Sequence, residues 1–460
     1  MSSAVTENPL GTMPTGKLIF KYAVPAVISL LVSSLYNIVD QIFIGQGVGL
    51  LGNAATNVSF PVTTITTALA LMIGIGTAAN FNLKQGAGQR DEARRIAGNG
   101  LFFLIVFGVA IAAIIGIFLP KLLWAFGATS ENYSYARDYT SITVFGLPLV
   151  IFSTGASYLI RSDGRPAYSM ICTLSGAVLN TILDPIFIFP LAMGMKGAAL
   201  ATVIGQVVSA VMAAAYIIKT RLATVELDRR AFIPSGKILR MIVALGLAPC
   251  LTHVAMTIVQ IVMNNTLTHY GELSVYGKEI PLAVVGVIMK VNTLLMGFTV
   301  GISQGCQPIF GYNFGHRNYS RTRETLIKGL GASIVISLVF FLCFQLFPRQ
   351  IVSIFGTGSE LYYEFAEKFF RIFLMLTFGN AVQPIIANFF NSIGKPIISI
   401  VLSMSRQIIF LVPALLIFPI FFGIRGVLFA GPITDAVSII LASVFLSIHL
   451  RRMPKDGEPV

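Results

Sequence analysis

Charge is scarce in this 460-residue chain. Only 11% of its residues are Asp, Glu, Lys or Arg, and 55% are hydrophobic. Soluble domains carry about a quarter charged residues. So apolar a surface cannot be solvated by water, which excludes an ordinary soluble protein and requires a bilayer. Histidine is also rare, with four scattered residues, and no ligand spacing suggests a metal centre. The four cysteines (Cys172, Cys250, Cys306 and Cys343) all fall inside apolar runs without a CxxC spacing. Buried, reduced thiols are expected. There is no GxxxxGK[ST] phosphate loop, so the energy source is not ATP bound to this chain. No nucleophile–base arrangement points to an enzyme, and no cofactor is expected. A cleavable signal is not expected either: residues 1–16 are short and polar, and the first apolar run is too long for a signal core.

What the chain does contain is one apolar run after another. Twelve runs reach the ~20 residues needed to span hydrocarbon as a helix. They lie over 17–46, 51–82, 93–118, 135–160, 167–190, 196–219, 237–266, 281–310, 325–347, 362–391, 396–419 and 424–450. The expected fold is an all-α integral membrane protein, twelve transmembrane helices in two six-helix pseudo-symmetric bundles. Alternate loops hold most of the Lys and Arg: Lys84, Arg90, Arg94 and Arg95; Arg161 and Arg165; Lys219 to Arg240; Arg317 to Lys328; and the tail Arg451, Arg452 and Lys455. The opposite loops hold only Lys121, Lys196, Lys278, Arg349 and Arg425. Basic loops face the cytoplasm, so both termini are expected there, in a multi-pass protein of the cell membrane. The same bias accounts for the net charge of +13, and no nucleic-acid partner is expected. The expected division is a cytoplasmic tail over 1–16, a six-helix lobe over 17–220, a cytoplasmic inter-lobe loop over 221–236, a second six-helix lobe over 237–450, and a cytoplasmic tail over 451–460.

The two lobes carry an internal repeat. Gly74–Asn80 followed by Gln85–Arg90 matches Gly301–Gly305 followed by Tyr312–Arg317. Ile160–Pro166 matches Phe390–Pro396, and Met193–Gly197 matches Phe422–Gly426. Three matches in one order and nearly one offset indicate parallel halves, a common transporter plan with substrate held near mid-membrane.

Ionisable residues within spans are costly, so each is a functional candidate. They are Asp40, Asp184, His253, Lys290, Arg406 and Asp435. Tyr36 and Asp40 share a helix face, as do Asn180 and Asp184. Counted from their span ends, Asp40, Asp184 and Thr202 all lie roughly 8–10 Å below the outer face. Two carboxylates, an amide and a hydroxyl at one level form an oxygen-rich pocket. Such oxygens suit a hard monovalent cation, with Na+ a candidate; alternatively, the carboxyls take up and release a proton. Either way the pocket is a coupling-ion site for H+ or Na+. In the second half, Asn264 stands opposite Asp40, and Phe410 and Ala414 stand opposite Asn180 and Asp184, so coupling is expected in the first half alone. Lys290, Arg406 and Asp435 read as a structural ion-pair network, and His253 as a hydrogen-bonded interior residue. Pro25 inside the first span permits a bend linked to Asp40. Tyr36, Asn37, Met256, Gln260, Met263, Asn264, Met289 and Lys290 are candidates to line a substrate cavity, the methionines as an adaptable apolar wall.

Together these residues resemble the multidrug and toxic compound extrusion (MATE) transporters. The resemblance rests on the two six-span halves, Pro25, the Tyr36–Asp40 segment, Gly86–Gly88, Arg161–Gly164 and the Asn180–Asp184 pair. It runs from about residue 15 to 450 and looks closest to the prokaryotic DinF-like branch, which includes MepA-type exporters. In that branch the cation site lies in the first half, and its residues match Asp40, Asn180, Asp184 and Thr202. The acidic residue that another branch carries in span 7 is absent; Gln260, Asn264 and Asn265 stand there instead. The resemblance implies cation-coupled export of cationic, amphipathic drugs and other small organic compounds by alternating access, by a protein acting as a monomer in the lipid bilayer. An alternative is a flippase for a lipid-linked saccharide or other lipid, which Lys290 and Arg406 would suit.

Overall fold

The computed structural model describes residues 8–355, 358–379 and 381–459. The described residues are helical, with short turns and no strand. Spanning helices are α1 (Thr15–Gly47), α2 (Leu50–Gly86), α3 (Arg90–Ala125), α4 (Tyr133–Ser162), α5 (Pro166–Ile188), α6 (Gly194–Thr220), α7 (Gly236–Glu272), α8 (Glu279–Gly315), α9 (Tyr319–Leu346), the bent pair α10 (Glu360–Phe373 with Thr377–Ser392), α11 (Pro396–Phe422) and α12 (Ile424–Arg451). Eleven are long and apolar enough to cross a bilayer singly, and the bent pair brings the number to twelve. Prolines sit inside most of these helices, including Pro25 in α1 and Pro249 in α7. Neighbouring helices in a membrane bundle tolerate such breaks. Cys172 and Cys306 are buried as expected, but Cys343 is exposed and Cys250 half-buried. An apolar run does not tell a core face from a lipid face, which is why the cysteine expectation failed there.

The chain forms two compact units. One comprises Met1–Met13 and Ile28–Cys250, the other Pro14–Val27 and Leu251–Val460. The division therefore passes through α1 just after Pro25 and through α7 just after Pro249. In the first unit, the start of α7 packs on α2 through glycine. A Cβ on Gly76 would lie 2.0 Å from the Ile242 carbonyl oxygen, and one on Gly246 would lie 1.8 Å from that of Met72. Asn80 Nδ2 donates to the Met241 carbonyl at 3.0 Å across the same contact. In the second unit, the start of α1 packs on α8 in the same manner. A Cβ on Gly301 would lie 2.7 Å from Val27 Cα, and one on Gly305 2.5 Å from Ala23 Cα. Small residues let helix backbones approach where no hydrophobic effect drives them together.

The sequence repeat reappears in the backbone. Gly164 and Gly394 both take left-handed conformations, with φ of 89° and 80°. Each is followed by the same closing bond: the Arg165 N–H donates to Ile160 O at 3.2 Å, and the Lys395 N–H to Phe390 O at 2.9 Å. Gly194 and Gly423 match likewise, with φ of 54° and 57°. A residue with a Cβ is disfavoured at these angles, so glycine there is a backbone requirement.

The segment between α6 and α7 is tied to the first unit by two side chains. Asp163 accepts from the Tyr216 hydroxyl (2.7 Å) and from the N–H groups of Ala223 (2.9 Å) and Thr224 (3.0 Å). Asn99 Nδ2 donates to the carbonyls of Ala231 (2.9 Å) and Ile233 (3.0 Å), while its Oδ1 accepts from the Ser235 N–H (2.8 Å). The C-terminal tail is tied to the second unit, where Asp456 accepts from the Ser320 N–H at 2.8 Å.

Candidate functional site

The first unit gathers Asp40, Asn180, Asp184 and Thr202 from three helices. Asp40 ends the polar face of α1 that begins at Tyr36, one turn earlier. Asn180 and Asp184 stand one turn apart on α5, and Thr202 lies two turns into α6. Asp184 is fully buried, and Asn180 and Asp40 are nearly so. The Asn180 amide bridges the group. With its nitrogen donating to Asp184 Oδ2 at 3.2 Å, its oxygen accepts the Thr202 N–H at 3.2 Å, so both ends are satisfied. The opposite orientation makes longer bonds of 3.3 Å, from Nδ2 to Asp184 Oδ1 and to Thr202 Oγ1. Asp40 and Asp184 are close enough to interact directly, with Gln41 also beside Asp40. Asp40 Oδ1 is buried with no hydrogen-bond partner among the described residues.

Two carboxyls facing one another in an apolar wall require a positive charge between them, because like charges out of water repel strongly. The orphaned Asp40 oxygen, the amide and the hydroxyl are donors of the type that suits a proton or a small hard cation. Tyr36 lies beside both acids. Tyr139 of α4 also reaches the cluster, close to Asp40 and with its hydroxyl toward Thr202. Reading the sequence missed Tyr139. An aromatic residue in an apolar span carries no polar signal of its own; only its spacing near the start of α4 could have suggested it.

Beside Asn180 and Thr202 opens a cavity of about 140 Å3. Hydroxyls line much of it: Ser33, Ser153, Thr154, Ser157, Thr173 and Ser209, with Tyr36, Gly176 and Gln206. The Gln206 Oε1 atom is buried with no partner among the described residues. These small polar residues were also not singled out, since serine and threonine ordinarily bond back to their own helix. Ser157 does so, to Ser153 O at 2.8 Å.

The remaining candidates are spread through the structure. Asn37 is exposed, its Nδ2 donating to Ser33 O at 2.6 Å. Pro25 is half-buried in α1. In the second unit, Met263 is fully buried in the core with Met289 packed on its edge, while Met256 is exposed. Gln260 Nε2 donates to Asn264 Oδ1 at 3.2 Å. Lys290 is exposed and takes no part in the ion pairs of the described residues, so it does not join Arg406 and Asp435. Those two do pair, Arg406 Nε to Asp435 Oδ1 at 2.8 Å. His253 is half-buried.

Comparison with known proteins agrees with this architecture. The MatE family model matches residues 25–186 and 248–416, one segment in each half. "Multidrug export protein MepA" of Staphylococcus aureus (strain MSSA476) is 24% identical over 96% of both chains. The "FAD transporter" of Shewanella oneidensis is 24% identical over 92% of both. Among solved structures, the MATE multidrug transporter DinF-BH, held in complex with a dye, is 33% identical, with a TM-score of 0.87 over 97% of this chain and 98% of that one. A match to both halves, a 33% identical relative over almost the full length, and twelve apolar helices agree: the chain belongs to the MatE family of multi-pass membrane transporters and is not an enzyme.

Proposed function

We propose that this protein is a cation-coupled antiporter that exports cationic, amphipathic organic compounds across the cell membrane. The observation that carries the coupling is the buried pair Asp40 and Asp184, with an unpartnered Asp40 oxygen beside Asn180 and Thr202. H+ and Na+ both fit that donor set. The export reading draws support from the names of MepA and DinF-BH, one of them held with a dye. The Shewanella relative is named for a different cargo, so cargo within the family is set by side chains and not by the fold. Nothing among these relatives favours the lipid-flippase alternative. The basic loops support a cytoplasmic position for both termini.

The mechanism follows from α1. Beyond Pro25 this helix carries Tyr36 and Asp40 into the ion site, while its first part packs on Gly301 and Gly305 of α8. Charge neutralisation at Asp40 therefore acts on a helix whose two parts belong to different units, with a proline at the division. Ion binding bends α1 there and shifts the balance between inward-open and outward-open forms. Transport follows only if ion and substrate prefer different forms. The test is dye efflux from proteoliposomes under separately imposed H+ and Na+ gradients. Uphill efflux under one gradient supports antiport and identifies the ion; no efflux under either, from folded protein, contradicts it.

A further inference from the structure

The coupling site accounts for the buried charges of the first unit but leaves the Arg406–Asp435 pair of the second without a role. The pair lies deep. Arg406 is ten residues into α11 from Pro396, and Asp435 eleven into α12 from Ile424, about 15 Å from either starting end. At that depth a charged group faces a polar partner or a water-filled space, and is a functional candidate by default.

Three further features distinguish this place. First, Arg406 stands on a π-helical stretch, Ser405–Leu411. The Leu402 carbonyl just before it is taken by the Gln383 side chain and by the Ser405 hydroxyl, the latter at 2.9 Å. A carbonyl capped in this way is released from the regular ladder, so the helix can widen and turn Arg406 to a new direction. Such π-turns are rare and concentrate at functional sites. Second, the guanidinium is only partly committed. Its one hydrogen bond among the described residues runs from Nε to Asp435 Oδ1, and both terminal nitrogens remain free. Asp435 is 2% exposed while Arg406 keeps 17% of its side-chain surface accessible. The acid is thus the buried anchor, and the fork of the arginine is the open part.

Third, the repeat puts this pair opposite a cavity. The register that aligns Gly164 with Gly394 sets Arg406 opposite Gly176. The register that aligns Gly194 with Gly423 sets Asp435 opposite Gln206. Gly176 and Gln206 both line the hydroxyl-rich cavity of the first unit. The second half therefore carries a fixed positive fork where the first half has open space.

We propose that Arg406, held by Asp435, is a binding group for an anionic oxygen, a carboxylate, on the carried molecule. The substrate class would then include zwitterions that bear a carboxylate besides their cationic part. A planar guanidinium with two free terminal nitrogens matches a carboxylate in a bidentate fashion. Lipid headgroups are an unsuitable source of the anion, because the fork lies at mid-span and not at the interface. Asp435 acts as a positioning residue: it holds Nε and leaves the fork outward. This inference rests on the efflux reading above for the identity of the carried molecule.

The test uses two xanthene dyes that differ at one group, a free carboxylate against its methyl ester. Both are measured with wild type and with the double variant Arg406→Gln/Asp435→Asn, which removes both charges and leaves neither buried alone. Equilibrium binding to purified protein is read by fluorescence polarisation, and efflux from proteoliposomes in parallel. The expected result is a loss of roughly tenfold or more in affinity for the carboxylate dye, with the ester unchanged. Retained ester binding shows that the variant is folded. Arg406→Lys, which keeps the charge without the fork, is expected to fall between. Equal loss for both dyes, or no loss for either, overturns the assignment. Failure of the efflux reading is separate: wild type would then bind the dyes but expel neither under a cation gradient.

Discussion

Gly246 of α7 lies so close to Met72 of α2 that a Cβ on the glycine would stand 1.8 Å from the Met72 carbonyl oxygen. The contact fastens the first part of α7 to the first unit, as Gly301 and Gly305 fasten the first part of α1 to the second. Gly246→Val is expected to destabilise the protein by at least the ~1–3 kcal/mol of an overpacked core site. Gly286→Val, on α8 where nothing lies within 4 Å of the added Cβ, supplies the control. Thermal unfolding in detergent should show a lowered transition for the first and little change for the second. Equal behaviour would mean that the close approach is not required.

Asp163 organises the start of the inter-unit loop through the Tyr216 hydroxyl and the Ala223 and Thr224 N–H groups. Hydrogen bonds to a charged acceptor contribute about 1.5–3 kcal/mol each. Asp163→Ala is therefore expected to raise the rate of limited tryptic cleavage at Arg221, Arg229 and Arg230 by at least tenfold, without removing the protein from the membrane. An unchanged digestion pattern would show that other contacts hold the loop.

The tail contact provides a prediction in pH. The Ser320 N–H and hydroxyl hold the Asp456 carboxyl below its ordinary range. A depressed acid contributes to docking above its free value, near ~3.9, and loses that contribution as pH falls through the lower bound value. Hydrogen exchange at Ser320 is thus expected to show constant protection from about pH 5 to 8, after correction for intrinsic rates. Asp456→Asn should reduce that protection across the whole range. Undocking of the wild-type tail near pH 6 would contradict the assignment.

The spans were legible because length and hydropathy alone decide them, and α10 alone differs by being broken. Asp40, Asn180, Asp184 and Thr202 were legible because a polar residue in an apolar run stands out and helix rise gives its depth. Tyr139 was not, since aromatic residues are ordinary in a span. The division of α1 at Pro25 and α7 at Pro249 was also hidden. Proline marks where a helix can bend, but not that the parts on either side pack with different partners. The link of Lys290 to Arg406 and Asp435 failed for a similar reason: sequence gives the depth of a charge and not the direction in which it points.

Tyr139 tests what the structure adds to the site. Its hydroxyl points toward Thr202 beside the two acids. Tyr139→Phe keeps the ring and removes one polar group, so the expected effect is a several-fold rise in the cation concentration needed for half-maximal efflux, with the maximal rate little changed. An unaltered cation dependence would place Tyr139 outside the site.

Whether Asp40 couples ion entry to export is tested most directly by comparing wild type and Asp40→Asn in proteoliposomes, with uphill efflux driven by the cation gradient measured beside binding of the same dye. The variant is expected to lose uphill efflux while still inserting and binding dye. Full gradient-driven efflux by Asp40→Asn would contradict the account.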